Sequence, residues 1–201
     1  MNSWIPHPLI LTTDRVSLEP LEGSHLAELE TLALNPRVWE FYASDLSLPG
    51  KFEEAFRQAF RERYLGAQYP FVIRRRDDGR LIGSTRFLAI TALHRKLEIG
   101  WTWMDPATWG TGLNTECKLA LLTACLETLG TVRVQLKTDE LKLRSRRAIE
   151  KIGARFEGIL RNDMIRDNGT LRNSAYFSII APDCPETKSN LTWLVRGTED
   201  R

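Results

Sequence analysis

Cysteine is scarce in this sequence, and membrane-length hydrophobic runs are absent from it. The three cysteines, Cys117, Cys125 and Cys184, form no CxxC pair. Neither a disulfide framework nor a zinc site is therefore expected. No apolar run approaches the roughly 20 residues that a membrane-spanning helix requires. Residues 1–15 also lack the pattern of a secretory signal peptide. Together these absences predict a cytoplasmic protein without a membrane partner.

An excess of one charge sign is also lacking. The chain of 201 residues has 28 Lys and Arg against 26 Asp and Glu, a formal net charge of +2. A protein that binds nucleic acid directly usually has a more one-sided charge, so no nucleic-acid partner is predicted. Hydrophobic residues make up 42% of the chain, which is ordinary for a soluble globular domain.

Hydrophobic periodicity predicts a mixed α/β fold. The predicted elements, in chain order, are a strand at 15–20, helices at 23–34 and 52–64, a three-stranded meander at 70–75, 81–90 and 97–104, a helix at 114–129, a strand at 132–137, a helix at 144–152 and strands at 155–166 and 174–180. We expect a single domain over residues 1–180. The composition of residues 181–201 predicts a surface tail.

The stretch from Glu98 to Lys118 has the clearest chemical pattern. A strand is predicted to end near Met104, and Gly110 and Gly112 lead from it into the long helix. Glycines let a ligand approach the main chain, and the helix start adds unpaired N–H groups and the positive end of a dipole. Such a turn suits a pyrophosphate, although a tight strand-to-helix connection uses the same residues. The P-loop and the dinucleotide-binding fingerprint are both absent.

Several segments, in the right order, resemble motifs of the GNAT superfamily of N-acetyltransferases, and within it the RimJ/RimL-like branch that acetylates ribosomal-protein N-termini. They are Ile82-Gly83-Ser84, Glu98-Ile-Gly-Trp, Gly110-Thr-Gly-Leu-Asn-Thr-Glu, and the Arg-Arg-Ala-Ile-Glu-Lys-Ile-Gly run that starts at Arg146. Several motifs in order are more specific than any one of them alone.

The resemblance implies a mostly antiparallel sheet, flanked by helices, in which the fourth and fifth strands splay apart. Acetyl-CoA, the co-substrate, would lie in the resulting V with no metal involved. Its pantetheine arm would pair with the edge of the fourth strand, and its pyrophosphate would lie on the glycine loop. The implied binding residues are Trp101, Trp103, Met104, Gly110, Thr111, Gly112, Leu113, Asn114, Thr115, Lys142 and Ser145.

The sequence departs from the family pattern near the predicted active site. Lys142 stands where the family usually has an asparagine that helps hold the cofactor arm, so it either reaches a phosphate or has no role. Met164 aligns with a glutamate that some relatives are proposed to use as a general base. No tyrosine follows Ser145, where many family members place a general acid.

Acetyl transfer to an amine needs a base for the amine and a proton for the leaving thiolate. Glu98 is the candidate base, acting through water; a surface ion pair with Arg95 or Lys96 is the alternative. Ser145 is the candidate acid; the alternative is that it caps the helix that follows, at Arg146.

Trp39 and Tyr42 follow the first predicted helix and are expected either to line the acceptor site or to pack in the core. The predicted reaction is direct attack of a primary amine on acetyl-CoA. The first candidate acceptor is a protein N-terminal α-amine, as in a ribosomal protein. A small-molecule amine is the second, and a non-catalytic acyl-CoA-binding module is the third reading. Whether the chain forms a homodimer is left open.

Overall fold

The computed structural model describes residues 4–199, in which a single eight-stranded sheet is covered by helices on both faces. The strands are β1 (Leu11–Thr12), β2 (Val16–Pro20), β3 (Tyr69–Arg75), β4 (Leu81–Thr91), β5 (Lys96–Met104), β6 (Arg133–Asp139), β7 (Arg155–Ile165) and β8 (Leu171–Ile180). Their order is β1-β2-β3-β4-β5-β6-β8-β7. Of these neighbouring pairs, β5 with β6 is parallel and the others are antiparallel. The predicted mixed α/β class and central meander are confirmed.

Five α-helices within residues 4–199 flank the sheet. They are α1 (Leu26–Ala33), α2 (Lys51–Tyr64), α3 (Leu113–Thr123), α4 (Leu143–Lys151) and α5 (Cys184–Glu199). Helix α3 continues into a π-helical turn at Ala124–Thr128. Leu29 of α1 and Phe56 of α2 pack with Trp103 on one face of the sheet. Leu121 of α3 and Leu191 of α5 belong to the larger core on the opposite face.

The parallel strands β5 and β6 pair over only three residues each. Lys96, Leu97 and Glu98 lie opposite Arg133, Val134 and Gln135, and no pairing continues beyond them. From Ile99 to Met104, β5 therefore presents an edge on the β6 side that no strand within residues 4–199 covers. Backbone N–H and C=O groups on such an edge are available to a ligand. The resemblance implied a splay between the fourth and fifth strands. That splay lies here, between β5 and β6, because the short β1 shifts the strand numbers by one.

A bulge at Trp101 changes which residues of β5 face each layer. Trp101 has a φ of 50°, and the pairing with β4 is irregular there. Before the bulge, Leu97 and Ile99 face the α3 side. After it, Trp101 and Trp103 face the α1 and α2 side. Without the bulge, strict alternation would place all four on one face.

The segment after β8 differs from the surface tail expected at residues 181–201. Its described part forms helix α5, which packs against α3. Leu191 is 1% exposed and Leu194 is 7% exposed. Burying side chains of this kind contributes about 1.5–3 kcal/mol each. Their spacing of three residues fits one helical face, although the polar and proline-containing start of the segment hides that pattern.

Candidate active site

The glycine loop connects the open edge of β5 to helix α3. Gly110 and Gly112 have φ values of 81° and 87°, a conformation that glycine adopts without strain. A Cβ added at Gly110 would meet no atom within 4 Å, so the outer side of the loop faces open space. Gly112 is the N-cap and α3 starts at Leu113. The loop thus presents the N-terminus of a helix beside an accessible main chain.

The loop is anchored to the first strands through a buried carboxylate. Glu116, fully buried in the first turn of α3, pairs with the Nε group of Arg15. Its Oε2 atom also accepts a hydrogen bond from the Thr13 hydroxyl at 2.7 Å. Arg15 donates from Nη1 to the Thr111 carbonyl at 3.1 Å. These contacts fix the loop backbone before any ligand binds.

Trp109 lies between two arginines at the entrance to the loop. The guanidinium of Arg144 is 4.2 Å from the Trp109 ring centroid, and that of Arg37 is 5.6 Å away. Arg144 belongs to the first turn of α4, so its contact brings the start of α4 close to the glycine loop. Two cationic side chains therefore lie near the predicted pyrophosphate position.

Glu98 lies where β5 and β6 begin to separate. It is buried and accepts a hydrogen bond from Gln135 Nε2 at 2.8 Å. The alternative of an ion pair with Arg95 or Lys96 is wrong. By strand alternation its side chain faces away from α3, on the same layer as Trp101. A carboxylate at the closed end of the V can exchange a proton with a bound group through water.

Trp39 and Tyr42, the two residues predicted to line the acceptor site, have different environments. Trp39 is 3% exposed and donates from Nε1 to the Ala33 carbonyl at 2.8 Å, so its side chain is a core element. It packs against Trp103, which is 2% exposed and can offer a ligand only its backbone. The Tyr42 hydroxyl donates to the Thr102 carbonyl on the open part of β5. Tyr42 is therefore the one of the two predicted acceptor residues that reaches the cleft.

A buried lysine near the cleft was missed by sequence reasoning. Lys118 of α3 donates from Nζ to the Thr102 hydroxyl at 2.8 Å, and this hydroxyl lies 2.7 Å from that of Thr85. Burial lowers the pKa of Lys118 to about 8. Lys118 lies four residues before the buried Leu122. A lysine on the apolar stripe of a helix is the signal that could have identified it.

The first turn of α4 holds Lys142 and Ser145. Lys142 is the N-cap residue and Ser145 is the third residue of the helix, so the N-cap role considered for Ser145 is wrong. The backbone N–H of Ser145 donates to the Lys142 carbonyl at 2.9 Å. The Lys142 ammonium lies 4.7 Å from the centroid of the Tyr42 ring. Lys142 therefore lies beside an aromatic residue that contacts β5.

Comparison with known proteins accounts for this arrangement. The sequence profile of the acetyltransferase (GNAT) domain matches residues 15–155. The chain belongs to the GNAT acetyltransferase family. It is 29% identical over 176 residues to the uncharacterised N-acetyltransferase YoaA of Bacillus subtilis, spanning 86% of this chain and 97% of that protein. It is also 29% identical over 168 residues to YdaF of the same organism, a provisionally named ribosomal N-acetyltransferase, spanning 81% and 88%.

Solved structures of the family share the fold. A GCN5-related N-acetyltransferase from Brucella melitensis gives a TM-score of 0.84 at 23% identity over 98% of this chain and 96% of its own. Mycobacterium smegmatis RimJ with CoA-disulfide gives 0.76 at 20% identity over 93% and 95%. Spermidine N-acetyltransferase from Vibrio cholerae, with CoA and spermine, gives 0.73 at 18% identity over 86% and 99%. The similarity to these solved structures shows the fold of this protein but does not identify its acceptor. This GNAT protein is thus an acyltransferase.

Two properties of the described residues concern possible metal and membrane binding. Within residues 4–199 there is no group of three or more His, Cys, Asp or Glu residues arranged to hold a metal ion. None of the helices in that range has the length and apolar character needed to cross a bilayer.

Proposed function

We propose that this GNAT protein transfers an acetyl group from acetyl-CoA to a primary amine, by direct attack of the neutral amine on the thioester. The observation that carries the proposal is the uncovered β5 edge from Ile99 to Met104, which leads into the glycine loop at Gly110 and Gly112. An extended, amide-containing chain fits such an edge. A pyrophosphate fits the N-terminus of α3. The residues present therefore fit acetyl-CoA along its length.

The reaction joins the amine nitrogen to the acetyl carbon and breaks the carbon–sulfur bond. Glu98 is proposed to accept the amine's proton through water, from the closed end of the V. The leaving thiolate takes up a proton, and Ser145 in the first turn of α4 is the proposed donor. Placing these groups on rigid elements limits the motion needed to bring them to the reacting atoms.

The first candidate acceptor is a protein N-terminal α-amine, and the relative YdaF is provisionally named a ribosomal N-acetyltransferase. A small-molecule amine is the second candidate, and a contact at the acceptor end favours it. Asp167, in the turn between β7 and β8, accepts hydrogen bonds from Lys51 Nζ at 2.9 Å and from the Asp45 N–H at 3.0 Å. This turn therefore bridges to the chain between α1 and α2, which narrows the space available to a long peptide.

The test is to measure thiol release from acetyl-CoA with N-terminal peptides and with small primary amines. The parent protein should release thiol with at least one of these classes. Gly112→Val should weaken acetyl-CoA binding by about 2 kcal/mol, the scale of one or two lost charge-assisted hydrogen bonds. Gly66→Val is the matched control, because Gly66 has a φ of 73°, close to the 87° of Gly112, and a Cβ added there would meet no atom within 4 Å.

Calorimetry would separate the two variants. Equal acetyl-CoA affinity in a folded Gly112→Val protein and the parent would contradict the loop assignment. Acetyl-CoA binding without thiol release for any amine would favour the non-catalytic module instead.

A further inference from the structure

Lys142 lies over the Tyr42 ring, and the charges of Arg172 and Arg144 reach the Tyr42 hydroxyl. The Lys142 ammonium lies 4.7 Å from the Tyr42 ring centroid and 5.7 Å from that of Phe41. Arg172 of β8 is 8% exposed, and its buried Nε atom has no hydrogen-bond acceptor. Arg144 contributes its charge from the same turn of α4 as Lys142. Their charges act on one another and on Tyr42, as the pKa values of these groups indicate.

The pKa of Lys142 is lowered to about 8, first by burial and then by the positive charges of Arg144 and Arg172. Burial raises the pKa of the Tyr42 hydroxyl well above its usual range, while Arg172 and Arg144 act in the opposite direction. Burial also lowers the pKa of Arg172. Like charges crowded in this way favour an incoming anion.

Neighbouring carboxylates neutralise the cluster only in part. In the part of the chain that the structure describes, no carboxylate lies within 4.0 Å of the Lys142 ammonium. Asp139 is the carboxylate nearest Arg172, at 3.6 Å from its Nε atom, but it also pairs with Arg166 and accepts the Leu141 N–H.

Other carboxylates on this side of the sheet have partners of their own. Glu98 accepts from Gln135, and Glu140 accepts from Asn173 at 2.6 Å. Asp163 accepts from the Tyr176 hydroxyl at 3.2 Å. Its second oxygen has no hydrogen-bond donor but lies 3.7 Å from Lys137 Nζ. The neutral donors leave the negative charges of Glu98 and Glu140 in place, and the charge of Glu40 also acts on Lys142. The charges that act on the Tyr42 hydroxyl are nevertheless those of Arg172 and Arg144.

The positions of Lys142 and Arg172 distinguish them from the pyrophosphate site. Tyr42 contacts the Thr102 carbonyl in the uncovered part of β5, and Arg172 lies on the β7–β8 hairpin, whose turn contacts the chain after Tyr42 through Asp167 and Asp45. Co-substrate phosphates on the loop would place the thioester, and hence the acceptor, toward Tyr42. Lys142 and Arg172 would then face the acceptor.

We infer that the acceptor amine bears an oxyanion, a carboxylate or a phosphate, which pairs with Lys142 and Arg172. A guanidinium with a free Nε–H group suits such an oxyanion, because it can donate two parallel hydrogen bonds. A polyamine would instead bring further positive charge to the cluster. This inference rests on the proposed acetyl transfer and narrows its acceptor to amines with a nearby negative charge.

The test uses matched amines in the thiol-release assay with saturating acetyl-CoA. The pairs are a free amino acid and its amide, phosphoethanolamine and ethanolamine, and two peptides that differ by Glu or Gln at the second position. The anionic member of at least one pair should have a kcat/KM about tenfold higher, the effect of one charge-assisted hydrogen bond. The pair with the largest ratio identifies carboxylate, phosphate or acidic peptide as the source.

Lys142→Met should lower that ratio by about tenfold, since methionine keeps the length of the side chain and removes its charge. Among the residues that the structure describes, Lys142 caps no N–H group of α4 with its side chain, so the variant should fold. Lys151→Met, at an exposed lysine at the end of α4, is the matched control and should leave the ratio unchanged.

Equal rates for anionic and neutral members would overturn the inference while leaving the proposed function intact. A Lys142→Met variant that raises the KM for acetyl-CoA but keeps the acceptor ratio would also overturn it, because the lysine would then serve the co-substrate. Absence of thiol release with every amine would overturn both the proposed function and this inference.

Discussion

Lys118→Met should stabilise the protein at neutral pH and change how its stability depends on pH. Lys118 is 9% exposed, and its ammonium has the Thr102 hydroxyl as its hydrogen-bond partner. No carboxylate within residues 4–199 forms a salt bridge with it. A buried charge with so few compensating contacts costs free energy in the folded state. Methionine has a similar length and no charge, so it removes that cost with little change of volume.

The magnitude follows from the pKa of Lys118, which burial lowers from 10.5 to about 8. Between these two values the unfolded chain binds more protons than the folded one, so this lysine makes the free energy of unfolding rise with pH. Each pKa unit corresponds to about 1.4 kcal/mol, which gives roughly 3 kcal/mol across the whole window. This gain in the free energy of unfolding is complete above pH 10.5, where Lys118 is neutral in both states. It is lost as the pH falls through 8, because the buried side chain then becomes charged.

Urea unfolding at pH 7, 8, 9 and 10.5 would measure this effect as the difference between Lys118→Met and the parent. Other titrating groups cancel in that difference. The advantage of the variant should be largest at pH 7 and should shrink by roughly 3 kcal/mol toward pH 10.5. Lys96→Met, at an exposed lysine, is the control and should show no such trend. A difference between Lys118→Met and the parent that is constant with pH would refute the reasoning.

Two further predictions concern the proposed catalytic groups. Glu98→Gln should lower kcat most at neutral pH and much less at pH 9, where more of the amine is already deprotonated. The pH–rate profile measures this difference. A loss of equal size at every pH would indicate a structural role. Ser145→Ala should lower kcat by about 100-fold if Ser145 protonates the thiolate. Because Ser145 is the third residue of α4 and not its cap, the free energy of unfolding should change by less than about 0.5 kcal/mol. A Ser145→Ala protein with unchanged kcat would exclude the acid role.

Much of the fold could be predicted from hydrophobic periodicity, because the pattern of each segment agrees with the element it forms in the structure. The meander is an example, since its predicted strands 70–75, 81–90 and 97–104 match β3, β4 and β5 to within one residue at each end. Turn residues such as Gly79 bound these strands and have the positive φ that a turn requires. The conformation of the glycine loop was also predictable, because glycine adopts without strain the positive φ that Gly110 and Gly112 have in this turn.

The bulge at Trp101 could not be predicted in the same way. A non-glycine residue at positive φ is unfavourable by about 1–3 kcal/mol unless its surroundings hold it there. The contacts that hold it are tertiary, since the Arg86 guanidinium lies 3.7 Å from the Trp101 ring centroid and Phe56 packs against its edge. Alternation along β5 alone contains no sign of them. The orientation of Glu98 relative to Trp101 depends on this bulge and was therefore outside the reach of the sequence.

Both lysines whose pKa falls to about 8, Lys118 and Lys142, lie next to the open part of β5. Lys118 contacts the Thr102 side chain, and Lys142 lies over Tyr42, whose hydroxyl contacts the Thr102 carbonyl. Well-packed apolar residues at these two positions would give a more stable fold. Acyl transfer develops negative charge on the carbonyl oxygen and then on sulfur, and positive charge fixed beforehand in a water-poor site stabilises such states strongly. Burying two ammonium groups beside Thr102 lowers the stability of the fold but can stabilise the negative charge that develops in the proposed reaction. The two groups belong to different elements, α3 and the start of α4.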